Sequence, residues 1–252
     1  MRNLGSFWAD RVLPMVKAAA RLVLLRHGQS QWNLENRFTG WFDVDLTPKG
    51  IAEASAAGEV LKAAGITPDV VHTSLQTRAI ETANLALSAS SQLGIPIQKN
   101  WRLNERHYGG LTGMNKEETT ALYGAQQVHI WRRSYSTAPP EMQPDHPYNP
   151  NNDARYASIP SNLRPRTECL ADVVERLMPY WDGPLSEDLR QSKTVLIAAH
   201  GNSLRALVKH LQAIPDDEIS DLDIPTGAPI VFDLNQDLEP ADSSPVADRY
   251  LL

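Results

Sequence analysis

Two apolar runs in this chain end in the same dipeptide: Arg21-Leu-Val-Leu-Leu-Arg-His27-Gly28 and Thr194-Val-Leu-Ile-Ala-Ala-His200-Gly201. Short runs this rich in aliphatic residues read as strands covered on both faces, as in a parallel sheet. In open α/β sheets, reactive groups collect just past the carboxyl ends of the strands, where loops open a crevice. Two imidazoles at two such ends, each followed by a flexible glycine, can therefore meet in one pocket. The alternative is that each His caps its own strand and bonds locally.

The chain between the two runs alternates in the same sense. Thr47-Pro48 reads as an N-cap with Pro at the first helical position, and Ile51, Ala54, Ala57 and Leu61 recur at helical spacing until Gly65. Asp69-Val-Val-His-Thr-Ser74 reads as a second strand, residues 76–92 as a helix and 94–98 as a short strand. Such alternation predicts an α/β fold with a mainly parallel sheet. From about 106 to 166 the pattern dissolves, with helical stretches at 117–123 and 126–133 and then repeated prolines. Long connections in compact domains are usually functional lids or disorder, and the helices and Arg pair inside this one favour a lid. Thr167 is a candidate cap for a helix carrying Leu170, Val173, Val174 and Leu177. A helix over 203–212 and a strand over 229–234 follow. We expect a polar, mobile tail after Leu238.

Of the 252 residues, 42% are hydrophobic and 21% charged, as in a globular protein. The formal net charge of −6 gives no general attraction to nucleic acid or an anionic membrane, so neither is an expected partner. An anionic ligand must be held by a local cationic cluster. The single cysteine, Cys169, excludes an intrachain disulfide and a Cys-rich metal site, and it reads as buried filler. No apolar stretch approaches the length of a membrane span. Residues 1–20 lack the continuous apolar core of a secretory signal; Phe7, Trp8, Val12, Leu13 and Val16 permit a short amphipathic helix, but a frayed extension or an upstream start codon is the preferred expectation. A cytoplasmic enzyme agrees with all of this.

Chemistry concentrates at a few places. Arg26 beside His27 disfavours a second positive charge and pushes the imidazole toward its neutral, nucleophilic form. Histidine in that form can attack phosphorus and split one hard transfer into two easier ones. The run continues through Gln29, Ser30, Gln31, Trp32 and Asn33 and then Asn36-Arg-Phe-Thr39-Gly40-Trp41, with Ser30, Asn33, Thr39 and the Gly40 amide as short donors. Arg78 falls in the first turns of a helix after a strand, where free amides already attract anions. Glu105 in Asn104-Glu-Arg-His-Tyr-Gly109 is a plausible proton shuttle. Lys116 and the pair Arg132-Arg133 lie in the predicted lid and suit carboxylate or phosphate. No His-x-His or paired-Asp cluster has metal-ligand spacing, so no metal is expected.

The motifs Leu25-Arg-His-Gly-Gln-Ser30, Glu105-Arg-His-Tyr108 and Ala198-Ala-His-Gly-Asn-Ser203, with Trp131-Arg-Arg133 and Ile224-Pro-Thr-Gly227, resemble the histidine phosphatase superfamily. Within it, the chain is most similar to the cofactor-dependent phosphoglycerate mutases. The likeness covers about residues 21–238, leaving an extension at 1–20 and a tail at 239–252, with the lid at about 107–166. It implies a three-layer αβα sandwich and a phosphoenzyme primed by 2,3-bisphosphoglycerate without metal. It further implies a homodimer or homotetramer acting on a small phosphorylated substrate. Residue by residue it makes His27 the phosphorylated nucleophile, Glu105 the general acid/base and His200 the partner that stabilises the transferring group. Arg26, Arg78, Asn33 and Gly201-Asn202 would hold the phosphoryl group. Gly28, Gln29, Ser30, Gln31, Trp32, Thr39, Gly40, Arg106, His107, Tyr108, Lys116, Arg132 and Arg133 would complete the substrate site. A phosphatase of the same superfamily would let water attack the phosphohistidine, but the cationic lid argues for the mutase. Ser30 argues against a bisphosphoglycerate mutase, which tends to carry Gly there. A non-catalytic binding protein would not be expected to keep His27, Arg78, Glu105 and His200 together.

Overall fold

Alternation along the first strand decides which helices cover which face of the sheet. A computed structural model describes residues 19–251, so the amphipathic pattern at 7–16 lies outside the described residues. The strands are β1 (Ala20–Arg26), β2 (Val70–Thr73), β3 (Ile97–Lys99), β4 (Thr194–Ala199) and β5 (Ile230–Leu234). The helices are α1 (Gln31–Leu34), α2 (Pro48–Ala63), α3 (Thr77–Ala89), α4 (Lys116–Tyr123), α5 (Ala125–Arg133), α6 (Leu170–Tyr180), α7 (Ser186–Arg190) and α8 (Gly201–Gln212).

Leu22 and Leu24 of β1, with Val195 and Ile197 of β4, join Leu170, Val173 and Leu177 of α6, Leu189 of α7 and Leu204 and Leu207 of α8 in one cluster. Val23, Leu25, Leu196 and Ala198 point the other way and join Ala57 and Leu61 of α2 and Ala83, Ala86 and Leu87 of α3. A period of two along a strand thus sorts one apolar run into two cores. The result is the expected three-layer αβα sandwich. The strand order is β3-β2-β4-β1-β5, with four parallel strands and β5 antiparallel to β1. The small side of α2 has a packing reason: a Cβ on Gly58 would lie 2.2 Å from the Ala86 carbonyl oxygen of α3.

Two details differ from the sequence reading. Cys169, not Thr167, occupies the N-cap of α6, where its amide donates to Asp172 Oδ2 at 2.8 Å. The Thr167 hydroxyl instead donates to the Pro139 carbonyl, tying down the long insertion. The second concerns the expected mobile tail, which is fastened to the sheet edge. Ala241 N–H donates to the Asp233 carbonyl, Arg249 bonds Asp242 and Ser244, and Leu251 packs on the α2/α3 core. Sparse apolar residues and one arginine, scattered through a polar segment, anchor it without a periodic signal. Among the described residues, no helix is long and apolar enough to cross a membrane.

Candidate active site

The register of β1 against β4 sets the centre of the site. Arg26 pairs with Ala199, so the next residues, His27 and His200, leave the sheet side by side. His27 N–H donates to the Ala199 carbonyl at 2.9 Å, and the two rings stand 5.0 Å apart at 61°. Both imidazoles are buried. Burial, then Arg78 and Arg26, hold His27 well below the usual histidine range; burial, Arg78 and His27 itself do the same for His200. Each ring is therefore neutral near pH 7.

Their hydrogen bonds fix the tautomers. His27 Nδ1 lies 2.7 Å from the Gly28 carbonyl oxygen, which can only accept. The proton sits on Nδ1, leaving the lone pair of Nε2 free. His200 Nε2 lies 2.8 Å from Ser74 Oγ, which also accepts from Gln76 N–H. The buried Ser74 hydroxyl has no other acceptor among the described residues, so its proton goes to Nε2, and the His200 proton sits on Nδ1, a buried atom with no hydrogen-bond partner. One neighbour offers a lone pair and the other an unspent donor.

Around His27 opens a pocket lined by Arg26, Arg37, Arg78, Lys116, Arg132, Arg133 and Arg205, with Glu105 and Asp223 the only lining carboxylates among the described residues. Arg78, in the first turn of α3, is buried and donates to the Gly40 and Phe42 carbonyls at 2.9 and 3.2 Å. Burial pulls its pKa down from the usual arginine value. The Arg26 guanidinium donates to the Ile224 carbonyl at 2.5 Å and passes close over Gly201. Lys116 opens α4, and Arg132 and Arg133 close α5. Burial and the nearby Arg132 and Arg26 lower the Lys116 pKa, with Tyr108 and Glu105 opposing them.

Glu105 reaches the pocket after a 3₁₀ turn, Trp101–Leu103, that follows β3. Gln76 places its backbone, accepting Glu105 N–H at 2.9 Å while donating to the Gly40 carbonyl at 2.7 Å. Glu105 Oε1 accepts from Arg106 N, Asn202 N and Asn202 Nδ2 at 2.7, 3.2 and 3.0 Å. No protein donor bonds Oε2 among the described residues.

Of the expected residues, Arg26, His27, Asn33, Thr39, Arg78, Glu105, Tyr108, Lys116, Arg132, Arg133, Gly201 and Asn202 line this pocket, and His200 lies behind His27. The others are placed elsewhere. Gly28 is pressed against α2, where a Cβ would lie 2.1 Å from the Gly50 carbonyl oxygen. Gln29 bonds Glu53 and Thr47, Ser30 caps α1, Gln31 is exposed and Trp32 stacks on Phe42. Gly40 offers its carbonyl to Arg78 and Gln76. Arg106 caps the end of α5 through the Trp131 and Arg132 carbonyls, presenting the two lid arginines without lining the pocket. His107 faces a second cavity beside Met142 and Asn149. The sequence reading missed Arg37, Phe38, Arg205 and Asp223. Arg205 could have been found, since it stands one helical turn after Asn202; Asp223 gives no local signal.

Among the described residues, no three His, Cys, Asp or Glu side chains are grouped to hold a metal ion. The chain matches the family model described as "Histidine phosphatase superfamily (branch 1)" over residues 22–147 and 142–239. It is 58% identical over 219 residues to the 2,3-bisphosphoglycerate-dependent phosphoglycerate mutase of Thermobifida fusca, covering 87% of this chain and 89% of that one. With the enzyme of that name from Caulobacter vibrioides it shares 57% identity over 232 residues, 91% of this chain and 94% of the other. Among solved structures, Bacillus stearothermophilus YhfR superposes with a TM-score of 0.65 at 26% identity, over 86% of this chain and 92% of that one. The chain belongs to the histidine phosphatase superfamily and, within it, to the 2,3-bisphosphoglycerate-dependent phosphoglycerate mutases.

Proposed function

We propose that this chain interconverts 3-phosphoglycerate and 2-phosphoglycerate in glycolysis and gluconeogenesis through a phosphohistidine at His27. The observation that carries the chemistry is a neutral His27 with a free Nε2, inside a pocket where seven cations face Glu105. The pocket's charge and the unspent His200 donor fit a ligand with two phosphates and a carboxylate. Arg26, Arg78 and His200 would hold one phosphate, and Lys116, Arg132 and Arg133 the far end. Bound there, 2,3-bisphosphoglycerate supplies the phosphoryl group that primes His27.

Phosphorylated His27 faces the free hydroxyl of a bound monophosphoglycerate. As the His27 Nε2–P bond breaks and the new O–P bond forms, Glu105 Oε2 takes the hydroxyl proton. The return step reverses this: His27 Nε2 attacks the other phosphoryl group, and Glu105 returns its proton to the departing oxygen. His200 Nδ1–H and the Arg78 guanidinium are aligned beforehand on the transferring group, so little reorganisation accompanies transfer. The insertion at 107–166 would keep water from the phosphohistidine. The same reading implies a homodimer or homotetramer in the cytoplasm, and sedimentation of the purified protein would decide the first.

One assay tests the proposal. Purified protein receives 3-phosphoglycerate with and without catalytic 2,3-bisphosphoglycerate, in the presence of a chelator. We expect 2-phosphoglycerate to form only with the primer, and an acid-labile, base-stable phosphoryl label on His27. His27→Ala should remove that label and lower turnover by on the order of 10⁴-fold or more. Rapid phosphate release without 2-phosphoglycerate would replace the mutase with a phosphatase. A label surviving in His27→Ala would place the nucleophile elsewhere.

A further inference from the structure

The carboxylate of Glu105 depends on an amide that could turn either way. Asn202 donates to Glu105 Oε1 through Nδ2 at 3.0 Å, and the same nitrogen donates to the Tyr108 hydroxyl at 3.2 Å. A flipped amide would set its oxygen against the carboxylate. The oxygen and nitrogen ends of an asparagine have nearly the same shape, so a neighbour of fixed polarity must distinguish them.

Arg205, one turn along α8, is that neighbour. Its Nη1 donates to Asn202 Oδ1 at 3.0 Å, while Nη2 donates to the Ile219 carbonyl at 2.5 Å. A guanidinium offers donors only, so the end of Asn202 facing it must be oxygen. The Ile219 carbonyl holds the fork in that position from the far side. Arg205 is 4% exposed, and its Nε has no hydrogen-bond partner. Burial, with Arg133 and Arg106 nearby, lowers its pKa to about 10. A cation kept buried among other cations needs a task that its charge performs.

We infer that Arg205 is a positioning residue that locks the Asn202 amide, so that Nδ2 holds Glu105 Oε1 and leaves Oε2 to move the substrate proton. The inference rests on Glu105 as the proton carrier of the proposed mutase. Because Arg205 also borders the pocket, direct contact with substrate is the competing role.

The test is the pH profile of kcat/KM for 3-phosphoglycerate, at catalytic 2,3-bisphosphoglycerate, for the full chain and five variants. Arg205→Met should lower kcat about tenfold or more and leave KM within about threefold. The acidic limb should move upward by roughly 0.5 to 1 pH unit, because ionised Glu105 loses a donor. Arg205→Lys keeps a charge and a donor and should restore most of both. Asn202→Ala should move the limb equally, and the double variant no further than either alone, since both act through one contact. If Arg205→Met does not fold, Asn202→Ala carries the limb prediction by itself. A raised KM with an unmoved limb would show that Arg205 binds substrate and overturn the inference. An unmoved limb with lowered kcat and melting temperature would reduce it to a structural residue. Glu105→Gln separates the two layers of argument: if it keeps the wild-type limb, the reading of Glu105 fails; if it abolishes the limb while Arg205→Met leaves it in place, only the inference about Arg205 fails.

Discussion

The floor of the pocket and its wall are built by different means. The floor is the carboxyl edge of β1 and β4, where ladder hydrogen bonds set His27 beside His200 and both sheet faces are sealed by aliphatic clusters. The wall is the insertion after residue 107. Its apolar support near the site is small: Phe38, Leu111 and Val128 in one cluster and Trp41, Tyr156 and Ile159 in another. Much of the rest is polar, such as Arg106 on the α5 carbonyls and Arg37 between the Gly113 carbonyl and the Tyr148 hydroxyl. The floor fixes atoms that must not move during transfer, while the wall holds charge on long side chains above them.

This division makes a kinetic prediction with the largest expected effect. Arg78, buried in the floor, should act on kcat: Arg78→Met is expected to lower it by about 10² to 10³, with a smaller change in KM. Arg132, on the wall, should act on binding: Arg132→Met is expected to raise KM about 10- to 100-fold and alter kcat by only a few-fold. Steady-state kinetics on the two variants checks this. Equal kcat and KM effects at both positions would erase the distinction.

Stability should divide the same way. Leu24→Ala removes a fully buried side chain from the sheet and should cost about 2 to 5 kcal/mol. Val128→Ala, in the smaller wall cluster, should cost about 1 kcal/mol of global stability. Denaturant melts give both values, and amide exchange should show that the second change loosens α5 without the sheet. A Val128→Ala cost equal to that of Leu24→Ala would mean that wall and floor unfold as one unit.

The floor was legible in the sequence for the same reason that it is rigid. Continuous aliphatic runs, each ending in His-Gly, mark two buried strands and put His27 and His200 at their carboxyl ends, while the register that sets them side by side comes with the fold. The wall was legible only as chemistry. Lys116, Arg132 and Arg133 announced an anion, but seven prolines between 139 and 165 carry no period from which a path can be read. Positions such as Gly28, Ser30 and Arg106 sit inside the resemblance, yet their contacts are with Gly50, α1 and the end of α5, because a motif records what is kept together and not why. Arg205 was hidden by the opposite effect. Its spacing from Asn202 is a local signal, but its surroundings read as an ordinary amphipathic helix, and only the fold brings the Ile219 carbonyl to it and Glu105 to Asn202.

His107 stands at the joint between the two regions and ties stability to pH. It is buried, Nδ1 accepts Gly109 N–H at 3.0 Å, and its own amide donates to Glu168 Oε2 at 2.7 Å. Burial first, then Arg176 and His146, push its pKa down to about 3. The unfolded chain would bind a proton there near pH 6.5, whereas the folded chain stays neutral until about pH 3. A depressed histidine pKa therefore contributes stability above pH 6.5, and that contribution is lost progressively as pH falls from 6.5 toward 3. At pH 5 the loss is about 2 kcal/mol from His107 alone, at about 1.4 kcal/mol per pH unit. His72, His27 and His200 are shifted in the same direction, so the whole protein should lose more than this. His107→Asn keeps an acceptor for Gly109 N–H without a titrating group. Its denaturation free energy should fall less between pH 7 and pH 5 than that of the unsubstituted chain, by about the His107 share. An identical fall in both proteins would show that His107 opens to solvent with the wall and titrates there before the floor unfolds.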